Sequence, residues 1–248
     1  PNTKDHVSDI LKWCGAHLLE QKTEKTDPGF KVWRSKEATQ PLTGLGHGVA
    51  GMAMALFRLY QVFGDERYLH AGKEAVLYEN SAFDSEEGNW PDFRKNPSET
   101  ETPSKKFMGG YCAGAPGIGL ARLDGHKRLS GTADSQELTD MLMTDIRRAD
   151  QFVRSIRIEG RNHLCCGSAG RVDFLVEKAF LLNDSEAEET AHRILSGLIR
   201  GRRERGHYNF HVVNGKYYYN PTLFQGTAGV GYEMLRLLDP EKIKSVLI

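Results

Sequence analysis

Apolar residues recur at helical spacing in one segment after another along this chain, and glycine-rich phrases separate the segments. Val7, Ile10, Leu11, Cys14 and Leu18 mark one face of a helix over residues 5–19, which places Cys14 in a core. A loop with Asp27-Pro28-Gly29 runs to Pro41. Then Val49, Met52, Ala53, Leu56, Phe57 and Tyr60 cover more than half a helix circumference, the pattern of an inner helix packed on two sides. A turn at Gly64-Asp65 leads to a second helix over 66–79. A polar stretch over 83–107 holds Trp90-Pro91-Asp92, and loops this long are usually functional or mobile. Ile118, Leu120, Ala121 and Leu123 begin the next inner helix, and Leu138, Met141, Leu142, Ile146, Ala149 and Val153 give 135–157 an inward face. Phe174, Leu175, Val176, Ala179 and Phe180 repeat the inner pattern. Asn183-Asp184-Ser185 then reads as a stop followed by a capped restart for a helix over 186–203. Near the end, β-prone runs flank Asn214-Gly215, a strong hairpin signal, before a last inner helix over 227–238.

One phrase introduces every inner helix: His47-Gly48-Val49-Ala50-Gly51, Ala113-Gly114-Ala115-Pro116-Gly117, Cys166-Gly167-Ser168-Ala169-Gly170 and Gln225-Gly226-Thr227-Ala228-Gly229. The period is about 60 residues, so the chain is an array of units, each outer helix, loop, glycine corner and inner helix. Glycine at the corner permits positive φ and close approach. Such units stack, and they close into a ring if the rotation per unit allows it. All corners then lie on one rim around a central mouth.

Three corners carry chemistry. Cys112, Cys165 and Cys166 stand at or near the starts of inner helices, where the helix dipole favours a thiolate. Three thiolates suit tetrahedral Zn2+ with the fourth position open, the catalytic pattern. Small buried residues at tight corners are the plainer reading. His47 occupies the equivalent corner one unit earlier, as a general acid/base beside the metal or as a fourth ligand that would close the site. His163 reads as an exposed loop residue or a support for the thiols, and Trp90 as packing. Asp92, Asp124 and Asp173 are not in register as a carboxylate pair. The basic run Arg200, Arg202, Arg203 and Arg205 reads as a solvated helix end.

Composition narrows the setting. With 33 basic and 33 acidic side chains, nothing asks for nucleic acid as a partner. No apolar run reaches the length of a membrane span. Four cysteines, two of them adjacent, make a poor disulfide framework and fit a reducing, cytoplasmic setting. The chain begins Pro1-Asn2-Thr3, without Met, so residue 1 is expected to lie inside a longer polypeptide.

The phrases Gly44-Leu-Gly-His-Gly-Val-Ala-Gly51, Tyr111-Cys-Ala-Gly-Ala-Pro-Gly117, Leu164-Cys-Cys-Gly-Ser-Ala-Gly170 and Leu223-Phe-Gln-Gly-Thr-Ala-Gly229 together resemble the motifs of lanthionine synthetase C-like cyclases. The Cys-Cys-Gly form resembles the cyclase domain of class II lanthipeptide synthetases. The resemblance implies an α/α toroid of inner and outer helices, with residues 1–248 as its C-terminal part. About three units, roughly 180 residues at this period, would precede them. It also implies zinc on Cys112, Cys165 and Cys166 and an active-site histidine at His47. The implied reaction adds a cysteine thiol of a lanthipeptide precursor to a dehydrated Ser or Thr. Implied partners are that precursor and the missing N-terminal part of the synthetase, with a dehydratase domain. An acidic catalytic residue would belong to the missing part, and Tyr111 and Ala113 depart from the residues usual in the family. Two rivals remain: a non-catalytic peptide-binding remnant, and an α/α-barrel carbohydrate enzyme with paired carboxylates.

Overall fold

The computed structural model describes residues 3–22, 24–26, 29–36, 38–95, 106–132, 135–158, 160–210, 212–213 and 216–248. Four inner helices, α2 (Val49–Phe63), α4 (Ala115–Leu129), α6 (Ser168–Leu182) and α8 (Thr227–Leu238), pack in that order, each on the next. Outer helices α3 (Glu66–Ala82), α5 (Gln136–Ser155) and α7 (Ser185–Arg205) return antiparallel against α2, α4 and α6. The result is an arc of an α/α toroid. Burial follows position in the arc. α4 is buried continuously from Ala115 to Gly125 and α6 from Ser168 to Val176, whereas terminal α8 leaves Leu238 78% exposed.

Short polar turns reverse the chain between inner and outer helices. Gly64 and Asn183 end α2 and α6 in the left-handed conformation, and the carboxylates of Asp65 and Asp184 accept the backbone N–H groups of Arg67 and Ala187. Across the outer-helix layer, Arg122 of α4 donates to Glu79 of α3 at 2.6 Å and to Asp145 of α5 at 2.9 Å, all three buried. Between α6 and α8, Arg236 meets Asp173 at 3.0 Å and Glu177 at 2.7 Å, with Glu233 at 3.4 Å. The Ser245 hydroxyl donates to Asp173 at 2.8 Å and pins the C-terminal segment.

Helix α1 (Thr3–Glu20) overturns one expectation: Cys14 is exposed, not core. Val7, Ile10, Leu11 and Trp13 are exposed with it, Trp13 at 69%. The helix rests on α2 and α3 through another face. Gly15 is buried so close to Tyr68 that a Cβ would lie 2.5 Å from the phenol oxygen, and Leu18 and Leu19 pack beside it. Periodicity identifies an amphipathic helix but not which neighbours cover its stripe.

Three antiparallel pairs of two-residue strands decorate the loops: β1 (Glu24–Lys25) with β2 (Lys31–Val32), β3 (Pro91–Asp92) with β4 (Lys106–Phe107), and β5 (Val212–Val213) with β6 (Lys216–Tyr217). The last is the expected hairpin, although Asn214-Gly215 lies outside the described residues, as does 96–105 within the polar stretch 83–107. No helix among the described residues is long and apolar enough to cross a membrane.

Candidate metal centre

The glycine phrases are set by close approach of backbone to backbone. At each first glycine a Cβ would meet the chain about six residues back: 2.4 Å from the Thr43 oxygen at Gly48, 1.8 Å from the Met108 oxygen at Gly114, 2.4 Å from the Arg161 oxygen at Gly167 and 2.2 Å from the Asn220 oxygen at Gly226. Positive φ, expected at these corners, occurs only at Gly114 (+104°); Gly48, Gly167 and Gly226 are extended at −119°, −124° and −138°. The next N–H closes the corner, Val49 to Leu42, Ser168 to Arg161 and Thr227 to Asn220, at 2.8–2.9 Å. In the second unit a side chain replaces this bond. Ala115 N–H donates to Asn89 Oδ1 at 2.9 Å, and Asn89 Nδ2 donates to the Met108 carbonyl at 3.0 Å.

Backbone bonds then tie corner to corner along the rim. Gly46 donates to the Cys112 carbonyl at 3.1 Å, Tyr111 to that of Cys165 at 3.1 Å, and Cys165 to that of Phe224 at 2.9 Å. This ladder gathers residues far apart in sequence. The sulfurs of Cys112, Cys165 and Cys166 all lie within 4.8 Å of one another. Cys112 and Cys165 Sγ are 3.1 Å apart, Cys165 and Cys166 Sγ 3.4 Å, and all three cysteines are free. Sulfurs around one tetrahedral zinc stand about 3.8 Å apart, so a small outward adjustment suits the set to such an ion.

The electrostatics favour a cation as well. The Cys166 thiol is lowered to about 2 by hydrogen bonds from Cys112 and Cys165, with the charges of His163 and Arg94 adding to the effect. Cys112 is pushed up to about 11: the Cys165 bond favours its thiolate, but the Cys166 bond, burial and the Cys166 charge outweigh it. Cys165 is raised by its bonds to Cys112 and Cys166 and by burial. The cluster thus takes one negative charge readily and resists more, a conflict that a soft divalent ion bound to all three sulfurs relieves.

Residues around the thiols divide clearly. His47 lies exposed just before α2, next to Gly46, on an open hollow of about 440 Å3 that it shares with Met52, Tyr111 and Leu247. Tyr111 connects this hollow to the sulfurs. Its hydroxyl is pushed up to about 12 by burial and by the negative charges of Cys112 and Cys165. Among the described residues the close-set ligand atoms are the three sulfurs without His47, so the fourth-ligand role gains no support. His163 is buried, and its Nδ1 accepts the Cys166 N–H at 3.1 Å, which makes it a support for the corner and not an exposed loop residue.

Arg94, whose charge acts on Cys112 and Cys166, had no sequence signal beyond its two-residue spacing from Asp92. Asp92 holds its Nε at 2.9 Å. Asn89, the side chain that completes the second corner, had none. The other acids are occupied: Asp124 by Arg58 and Arg128, Asp173 by Arg236 and Ser245. Trp90 is fully buried against Phe83.

Among solved structures, nisin cyclase superposes with a TM-score of 0.64 at 15% sequence identity, over 98% of this chain and 60% of its own. At that identity the likeness speaks for the toroid fold alone, and this chain spans less than two thirds of nisin cyclase. A search of curated protein sequences finds no match. The family model of lanthionine synthetase C-like proteins matches residues 2–248. Repeated corners, converging thiols, toroid fold and a family match along nearly the whole length agree: the chain belongs to the lanthionine synthetase C-like proteins.

Proposed function

We propose that the protein is a zinc-dependent peptide cyclase that forms lanthionine or methyllanthionine rings in a dehydrated precursor peptide. The observation that carries this reading is the convergence of three thiols from two repeats on one point of the rim. Cys112, Cys165 and Cys166 would hold the ion, which would supply the positive charge that keeps a substrate thiol ionised near neutral pH. The reaction breaks the S–H bond of a peptide cysteine, joins the sulfur to Cβ of a dehydroalanine or dehydrobutyrine, and delivers a proton to Cα. His47 is the residue assigned to move that proton, taking it at a ring nitrogen and returning it to the enolate carbon. Tyr111 bounds the hollow in which the peptide would lie, and His163 keeps the Cys166 corner in place. Further units of the ring belong to the same proposal, as does a reducing compartment in which the thiols stay free.

The test mixes purified protein with a dehydrated, cysteine-containing peptide and follows loss of alkylatable thiol by mass. Zinc-dependent loss that is abolished by Cys112→Ala supports the reading. Ring formation that survives both chelation and Cys112→Ala overturns it. The exposed position of His47 favours a second reading, a peptide-binding protein without ring-forming activity. Stoichiometric zinc without ring formation by the full-length protein would select it.

A further inference from the structure

The basic residues at the end of α7 are exposed, as a solvated helix end requires, and two of them also share a groove. Arg200 and Arg205 line a groove of about 560 Å3 on the outer wall, between the end of α5 and α7, together with Arg154, Arg157 and Arg193. Among its described lining residues Glu204 is the only acid. In a chain whose charges balance, this is a strong local excess. Arg154 is already met by Asp150 at 2.8 Å and Glu186 at 3.4 Å. Among the described residues, Arg157, Arg193, Arg200 and Arg205 form no ion pair, and all four are exposed.

The groove is built, not incidental. A Cβ at Gly197 would stand 3.2 Å from Ile158 Cγ2, so the missing side chain lets the segment after α5 lie against α7. A Cβ at Gly201 would stand 2.5 Å from Arg205 Nη2, so that guanidinium lies flat along the helix. Arg171 of α6 fixes the segment from beneath, donating to the Ile156 carbonyl at 3.3 Å and to the Arg157 carbonyl at 3.1 Å. Val153, Ile156, Ile158 and Ile194 supply an apolar lining between the guanidinium groups.

The groove continues along the segment that follows α5. A hollow of about 180 Å3 shares Ile158, Gly197 and Arg205 with it and continues to Asn162, Asn209 and Tyr217. Asn162 and Asn209 exchange bonds of 2.7 Å, and the next residue is His163, on which the Cys166 corner hangs. Guanidinium groups spaced over an apolar lining match carboxylates interspersed with apolar side chains. A single-stranded nucleic acid would call for stacking platforms, and among the described residues no aromatic ring lines the main groove.

We propose that this groove docks an acidic, partly apolar segment of the peptide on which the protein acts, outside the ring, while the reacting part lies at the mouth. The identity of that peptide rests on the cyclase reading; the chemistry of the groove does not. The test is fluorescence anisotropy on the full chain with three labelled probes: a peptide of Glu, Leu and Ser, the same peptide with Lys for Glu, and an oligothymidylate. The acidic peptide should bind best. Its affinity should fall roughly 10- to 100-fold in the double variant Arg157→Glu/Arg200→Glu, and steeply with salt. Arg193→Glu alone, at another exposed residue of the groove, should also weaken it, which guards against a folding defect in the double variant. Equal binding of the Lys peptide, tighter binding of the oligonucleotide, or wild-type affinity in both variants would overturn the proposal. Zinc content, and ring formation in a short peptide without acidic residues, should be unchanged in the variants. Failure of the cyclase reading would therefore appear in those measurements and failure of the groove in anisotropy.

Discussion

The backbone N–H of Cys166 donates to Nδ1 of His163 at 3.1 Å, so a buried ring three residues upstream fixes the corner that carries two adjacent thiols. Neighbouring residues can face one point only if the chain bends between them, and this bond holds the bend. We expect His163→Ala to lower zinc affinity by about 10- to 100-fold, as loss of a supporting partner generally does. Asn, whose side-chain oxygen can accept the same N–H, should restore part of it. Competition with a chromogenic chelator measures both, and unchanged affinity in His163→Ala would show that the corner holds itself.

Glycines separate into those the backbone requires and those it tolerates. Gly167→Ala would bring a Cβ to 2.4 Å from the Arg161 carbonyl oxygen and 2.6 Å from that of His163, so it should cost about 2 kcal/mol or more and disturb metal binding. Gly231, inside α8 with nothing within 4 Å, should accept Ala with a gain of about 0.5–1 kcal/mol. Denaturant unfolding of the two variants should move in opposite directions.

Arg122 connects the helix layers to the first corner. It neutralises buried Glu79 and Asp145, and the other oxygen of Glu79 accepts the Gly44 N–H at 2.9 Å. Arg122→Leu leaves two buried carboxylates facing each other, and a loss of about 3–5 kcal/mol is expected. Adding Glu79→Gln and Asp145→Asn to the same chain should recover much of it. Thermal unfolding of the single and triple variants decides, and a single variant as stable as wild type would refute the account.

Stability should fall as pH rises through neutrality, because of Glu233. Burial and the neighbouring Asp173 charge lift its carboxyl to about 10, against an ordinary value of 4.5. Below the ordinary value both folded and unfolded chains hold the proton, and the contribution is complete. Between the two values only the folded chain holds it, so stability declines as pH rises across that window. Glu233→Gln, which keeps the neutral shape, should flatten the dependence of unfolding free energy on pH between 6 and 9. An unaltered slope would mean the proton resides elsewhere.

Much of the arrangement was legible in the residues themselves. Periodicity and turn chemistry at Gly64-Asp65 and Asn183-Asp184 located the helices to within a few residues, because propensity and capping act over one or two turns of chain. The repeat of the Gly-x-x-Gly phrase put Cys112, Cys165 and Cys166 on one rim, since equivalent corners of stacked units must share it. Cys14 was misplaced because a stripe does not name its neighbour, and α1 turns Gly15 to the core instead. The glycines of the phrase were read as permitting positive φ and close approach; all four corners show a close approach but only Gly114 a positive φ, since the clash with a carbonyl about six residues back depends on the folded corner and not on local φ. The choice between the two readings of His163, and the roles of Asn89, Arg94 and the arginine groove, were decided by tertiary structure alone. Their roles arise from contacts between separate loops and helices, and no local preference of the chain encodes a distance between segments that only packing brings together.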